Sequence, residues 1–160
     1  MHDLELNLIR RERHIAFVYG GQIWRVPAGG GVAVALTGAE FSASDPVWSP
    51  DSRSIAFSAN RHGNADVFVM SAKGGEIKRL TTHSQADTPH AFSPDGKSVL
   101  FSSMRLGDPK VAFGGQLMGA SIQLYSIPAT GVGSGWSSPF RRSTRPGQDK
   151  LDQLSNWINV

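Results

Sequence analysis

Val47-Trp-Ser-Pro-Asp-Ser-Arg-Ser-Ile-Ala-Phe57-Ser returns in the chain as Ala91-Phe-Ser-Pro-Asp-Gly-Lys-Ser-Val-Leu-Phe101-Ser. Pro50 and Pro94 stand 44 residues apart. Outward from this pair, Ala28-Gly-Gly-Gly-Val-Ala-Val-Ala-Leu-Thr37 matches Ala72-Lys-Gly-Gly-Glu-Ile-Lys-Arg-Leu-Thr81, again at a step of 44 residues. Ile15-Ala-Phe17 matches Ile55-Ala-Phe57 at a step of 40. Gln22-Ile-Trp-Arg-Val26 is similar to Asp66-Val-Phe-Val-Met70 and to Gln123-Leu-Tyr-Ser-Ile127. Several registers agree, so the chain is an internal repeat of about 40–45 residues.

Each unit reads as four short strands. In the clearest one, Pro46–Trp48 is the first strand, and Ser49-Pro-Asp-Ser stops it. Pro50 suits the second position of a type I turn, with Asp51 beside it. Ser54–Ser58 is the second strand, closed by a hairpin over Asn60–Asn64. Asp66–Met70 is the third, and Ala72-Lys-Gly-Gly75 turns the chain into a fourth over Glu76–Leu80. There Ile77 and Leu80 face inward. The β-branched and aromatic residues of the second and third strands suit a buried sheet. Four strands in such a period predict all-β, propeller-type blades: about three units, which is too few to close a ring of 4–8 blades.

Composition agrees. The 160 residues include 18 Gly and 9 Pro, which argues for tight turns over long helices. The 39% hydrophobic content is enough to bury a core. No apolar run approaches the ~18 residues of a membrane span, and the polar start lacks a signal-peptide core. Zero cysteines exclude disulfides and thiol catalysis. The net charge of +3 is slight. Most of it falls after residue 130, where Arg141, Arg142, Arg145 and Lys150 outnumber Asp149 and Asp152. Residues 1–130 carry no basic stripe of the nucleic-acid-binding kind.

Trp48-Ser-Pro-Asp through Met70, with Gly74-Gly75 and Leu80-Thr81, resembles the WD40-like (PD40) repeat of TolB-type propellers. The third unit resembles most the N-terminal propeller of tricorn-like serine peptidases, and prolyl-oligopeptidase-type propellers share the motif. The resemblance covers about residues 14–130. It implies Trp48, Ser49, Pro50, Asp51 and Phe57, with Phe92, Ser93, Pro94, Asp95 and Phe101, as structural residues of the blade motif. It also implies a periplasmic or secreted parent, although the chain itself leaves the compartment open.

Two places depart from the pattern. Where Ser-Pro-Asp belongs at 9–11 stands Ile9-Arg10-Arg11, so the first blade has lost its leading strand or replaced it with Leu4–Ile9. After Thr130 the repeat stops. The expected organisation is a non-repeat segment over 1–14, blades over 15–130, and a flexible non-repeat tail over 131–160. A fragment of a longer propeller protein fits this arithmetic.

The chemistry of sites is sparse. His83, Asp87 and His90 have metal-ligand spacing but are expected to be solvated residues of the connection between blades. Arg61 and Asp66 flank a hairpin, where a surface pair across it would be a turn feature rather than a catalytic pair. Trp24, Trp48, Phe57, Phe68, Phe92 and Phe101 recur at blade period and are assigned to the core. Gly119-Ala-Ser-Ile-Gln123 lacks the second glycine of a nucleophile elbow. No catalytic, cofactor or metal residues are assigned. The third unit holds 13 more residues between its second and third strands than the unit before it. On this insertion Lys110, Phe113, Gln116, Leu117 and Met118 form a candidate partner-binding loop, since such insertions map to one face of a propeller.

The resulting expectation is a non-catalytic propeller module that binds protein or peptide. The missing blades or self-association would satisfy its open faces, with Ile15, Phe17, Val99 and Phe101 the uncovered residues. A self-associating structural repeat is the alternative, and a small hydrolase a weaker one. Any peptidase chemistry would reside in a domain outside this chain. Neither a cofactor, nucleic acid nor a membrane span is called for.

Overall fold

The computed structural model describes residues 14–104 and 122–131. These residues form ten strands in three antiparallel sheets. The first sheet holds β1 (His14–Tyr19), β2 (Gln22–Pro27) and the two-residue β3 (Val34–Ala35). The second holds β4 (Ala43–Trp48), β5 (Ser54–Asn60), β6 (Ala65–Ser71) and β7 (Ile77–Arg79), in that order. The third holds β8 (Asp87–Phe92), β9 (Ser98–Ser103) and β10 (Gln123–Pro128). A single 3-10 turn, Ala39–Phe41, joins the first blade to the second. Among the described residues only the middle blade has four strands, and the ring is not closed. No helix among them is long and apolar enough to cross a membrane.

The Ser-Pro-Asp motif acts through one repeated turn. Ser52 N–H donates to the Ser49 carbonyl at 3.0 Å, which places Pro50 and Asp51 at the two central positions. Ser49 Oγ donates to Asp51 Oδ1 at 2.6 Å, and the same oxygen accepts from Arg53 N–H at 3.1 Å. Ser54 N–H in turn donates to Ser49 Oγ at 2.9 Å. Blade three repeats the set with Ser93, Asp95, Gly96, Lys97 and Ser98. The position after Asp is left-handed in both turns, Ser52 at φ 58° and Gly96 at φ 71°; glycine meets that geometry without steric cost.

The Leu-Thr motif ends the outer edges of blades one and two. Leu36 N–H and Leu80 N–H donate to the carbonyls of Ile23 and Val67, both at 2.8 Å. Thr37 Oγ1 and Thr81 Oγ1 then accept from the N–H groups of the same two residues, both at 2.9 Å. A side-chain hydroxyl thus continues the ladder after the strand has stopped.

Alternation along each strand sends successive side chains to opposite faces. Phe57 lies opposite Phe68 across β5 and β6, with ring centroids 5.8 Å apart. Phe101 and Tyr125 are the equivalent pair in blade three, 5.6 Å apart. The Phe57–Phe68 pair packs towards blade one, in a cluster with Ala16, Ile23, Phe41, Trp48 and Met70. The Phe101–Tyr125 pair packs towards blade two, with Ala56, Val67, Val99 and Ile127. In each case the pair faces the preceding blade.

That rule corrects two expectations. Val99 and Phe101 are not on an open face: both are fully buried against blade two. Trp24 is not core but half-buried, because it pairs with Phe17 on the face of blade one turned away from blade two. Strand β4 also begins at Ala43, earlier than Pro46, through a bulge between Ser44 and Val47. The tail assigned to 131–160 lies outside the described residues apart from Gly131, as does Leu4–Ile9.

Truncating a fully buried pair member leaves a cavity, so Phe57→Ala and Phe101→Ala should each cost about 3–5 kcal/mol. Phe17→Ala, on the half-buried face of blade one turned away from blade two, should cost roughly 1 kcal/mol by the area it hides. Denaturant melts of the three variants check this ordering.

Candidate functional site

A cleft of about 520 Å³, open to solvent on one side, lies between the first two blades at the end of the sheets where the Ser-Pro-Asp turn lies. Its lining combines His14 and Arg25 from blade one with Trp48, Ser52, Arg53, Ser71, Ala72 and Lys73 from blade two. Two backbone turns converge there. Ala72 N–H donates to the Arg53 carbonyl at 2.8 Å and ties the 71–74 turn to the Ser-Pro-Asp turn. Arg25 reaches across from β2, and its Nη1 donates to the Ala72 carbonyl at 2.7 Å. Basic side chains therefore surround the cleft, and no described lining residue is acidic.

Of the lining residues, Trp48 is 6% exposed, and its Nε1 has no acceptor among the described residues. Burying an N–H without a partner costs roughly 1–3 kcal/mol. The carboxylate of Asp51, just outside the lining, is already engaged. The Ser49 hydroxyl and the Arg53 backbone N–H hold its pKa below the usual aspartate value. The Ser93 hydroxyl does the same to Asp95.

A second polar cluster sits deep between strands. Asp66 is 0% exposed, and its Oδ2 accepts from Arg79 Nη2 at 2.5 Å. Burial pushes its carboxyl up, against the pull of Arg79. Arg61 is not its partner: the Arg61 guanidinium lies over the Phe41 ring, 4.7 Å from its centroid. Asp87 corrects a further expectation. It opens β8 and is fully buried rather than solvated, and Ser58 Oγ donates to its carbonyl at 2.8 Å. His90 is exposed and meets Ser102 Oγ at 2.8 Å, while His83 belongs to the connection that Asn64 Nδ2 fastens at the carbonyls of His83 and Gln85. Among the described residues no three metal-ligating side chains converge.

The ten blade-motif residues occupy corresponding turn and strand positions. Trp48 and Phe92 are equally buried at 6%, Phe57 and Phe101 fully so, and Ser49 and Ser93 serve their turns. The candidate loop with Lys110, Phe113, Gln116, Leu117 and Met118 lies outside the described residues. Sequence reasoning passed over His14, Arg25, Arg53 and Lys73, which are scattered along the chain and meet only when two blades stack. The repeat itself held one signal: Arg25 stands where the next unit has Val69.

Residues 9–132 match the tricorn protease N-terminal beta propeller domain family. The chain belongs to this family. Among curated relatives, it is 41% identical over 64 residues to an uncharacterized peptidase of Bacillus subtilis, a match covering 39% of the chain and 10% of the relative. It is 33% identical over 67 residues to tricorn protease homolog 1 of Streptomyces coelicolor, covering 42% of the chain and 6% of that protein. The fold is similar to the crystal structure of TolB from Acinetobacter baumannii, with TM-score 0.58 and 25% identity, over 79% of this chain and 29% of that one. The chain thus spans a tenth or less of the curated relatives it matches. Its stacked sheets are propeller blades of this family, with the faces ordered as described above.

Among the described residues three carboxyls depart from the ordinary aspartate value, Asp51 and Asp95 downward and Asp66 upward. A lowered pKa in the folded state stabilises the protein above the unfolded value of 3.8, and that gain is lost as pH falls through the folded pKa. Asp66, with a raised pKa, acts in the opposite sense and favours the fold as it takes up a proton. Between pH 5 and 3, Ser49→Ala/Ser93→Ala should therefore lose stability less steeply with acid than the parent, and Asp66→Asn more steeply. Urea midpoints measured across that range check both signs.

Proposed function

We propose that the chain is a non-catalytic β-propeller module that binds protein or peptide and packs onto further blades or a partner through the outer face of blade one. One observation carries this reading. The Phe17–Trp24 pair occupies the register of Phe57–Phe68 and Phe101–Tyr125, yet the blade that buries each of those pairs has no described counterpart in front of blade one. Ile15 and Val26 lie opposite each other on the same face, and Tyr19, 57% exposed, meets the Trp24 ring edge-on at 6.2 Å. An apolar face of this kind is what protein–protein surfaces present. Peptide-bond chemistry, if the parent is a tricorn-like peptidase, belongs to another part of the longer protein.

Two measurements test the proposal. Sedimentation across a concentration series should show self-association, weakened about tenfold or more in Phe17→Ser/Trp24→Ser. A sharp monomer with a cooperative melt at high concentration would overturn it. Incubation with a broad peptide library should give no turnover. Hydrolysis that follows the pure protein and disappears in a single Ser or His variant would make the chain an enzyme.

A further inference from the structure

Among the described residues Asp66 and Asp87 are the only fully buried charged groups, and they lie on the two sides of one junction. Asp66 belongs to β6 of blade two, and Asp87 opens β8 of blade three. The strand registers identify their counterparts at the junction of blades one and two. Ile23 and Val67 each give their N–H to a threonine hydroxyl, so Gln22 stands where Asp66 does. Ala35 lies opposite Trp24 as Arg79 lies opposite Phe68. Ala43 lies opposite Ala59 as Asp87 lies opposite Ser103. One junction thus holds a glutamine and two alanines where the other holds two carboxylates and a guanidinium.

The local hydrogen bonds do not require those charges. Arg79 Nε donates to the Thr81 carbonyl at 2.9 Å, and in blade one the neutral Gln22 Nε2 serves the Thr37 carbonyl at 3.0 Å. Asn64 fastens the connection before β8, and Ser58 Oγ fastens the Asp87 carbonyl. Asp66 itself is incompletely served: Oδ2 accepts from Arg79, while Oδ1 has no hydrogen-bond partner among the described residues. Burial is the largest influence on this carboxyl and favours its protonated form. Arg79 from β7 opposes that, Asp87 facing from β8 adds to it, and His62 from the hairpin before β6 opposes it. The other cationic or titratable side chains nearby are turned elsewhere: Arg61 to the Phe41 ring, Lys78 to the Thr130 carbonyl, His83 to the Gln85 N–H and His90 to Ser102. With both carboxylates ionised, two negative charges face one guanidinium, and like charges in one buried site repel with little screening.

We propose that Asp66, Arg79 and Asp87 form a proton-operated latch between blades two and three: a proton taken up by Asp66 removes the repulsion across the junction and holds β8 more firmly against β6. The folded pKa of Asp66 lies above the unfolded 3.8, so the tightening appears as pH falls through the folded value and is absent at neutral pH. The latch lies inside the module and does not depend on what the blade-one face binds.

Amide hydrogen exchange in the full chain, corrected for intrinsic rates, tests this between pH 7 and pH 4.5. Leu80 N–H and Leu36 N–H make the same 2.8 Å bond to Val67 and Ile23, one beside the latch and the other at the neutral junction, and so form an internal pair. Protection of Leu80 and of the β8 amides should rise at least threefold relative to Leu36 and the β4 amides as the solution is acidified. Asp66→Asn should abolish that difference. So should Asp66→Gln/Arg79→Ala/Asp87→Ala, which copies the neutral junction, whereas His62→Gln should keep it. Carboxyl carbon NMR should show the Asp66 midpoint moving down in Asp87→Asn, which a purely packing role for Asp87 would not produce. An equal change at both junctions reports global unfolding and overturns the proposal. A difference that persists in Asp66→Asn or vanishes in His62→Gln, or an Asp66 midpoint unmoved in Asp87→Asn, overturns it as well.

Discussion

Every blade in this protein can bury its aromatic pair only against the blade before it. Phe57 and Phe68 need the face of blade one that carries Ala16 and Ile23, and Phe101 and Tyr125 need the face of blade two that carries Ala56 and Val67. Among the described residues the middle blade is accordingly the one sandwiched on both sides. The dependence runs in one direction along the chain, as in other quasi-one-dimensional repeat proteins, where neighbours supply the stability that a single unit lacks. It also decides where the protein has apolar surface left to offer.

The connections between blades keep that stacking in register. Phe41, on its short 3-10 turn, meets both Phe57 and Phe68 edge-on and carries Arg61 on its ring. Ala43 N–H donates to the Gly21 carbonyl at 2.7 Å, so the hairpin of blade one touches the first strand of blade two directly. That hairpin is a two-residue Gly20-Gly21 turn with both φ values positive, the geometry that matches the twist of the flanking strands. On the opposite interface, Lys78 Nζ donates to the Thr130 carbonyl. These polar ties fix the angle at which the apolar faces meet.

Much of the fold was legible because turns and periods are local. Ser-Pro-Asp and Leu-Thr each encode their hydrogen bonds within a few residues or one strand pairing, so two copies sufficed to recognise them. What local pattern could not supply was direction. Alternation separates Ala56 from Phe57 without saying which neighbour each one meets, and Val99 and Phe101 were therefore placed on the wrong side. Asp66 shows the same limit. Arg61 is near in sequence, but the register that sets Phe68 opposite Arg79 brings Arg79 alongside instead. The cleft was harder still, since its basic side chains come from β1, β2 and two separate turns and acquire meaning only together.

The hydroxyl ending of blades one and two has a consequence for how such sheets grow. Thr37 and Thr81 take the backbone donors of Ile23 and Val67, and the outermost strands β3 and β7 are only two and three residues long. A foreign strand arriving from the rim finds little template to extend. The inner margin differs: β1 runs for six residues and pairs with no described strand except β2. In-plane addition of chains is thereby disfavoured at the circumference of these two blades.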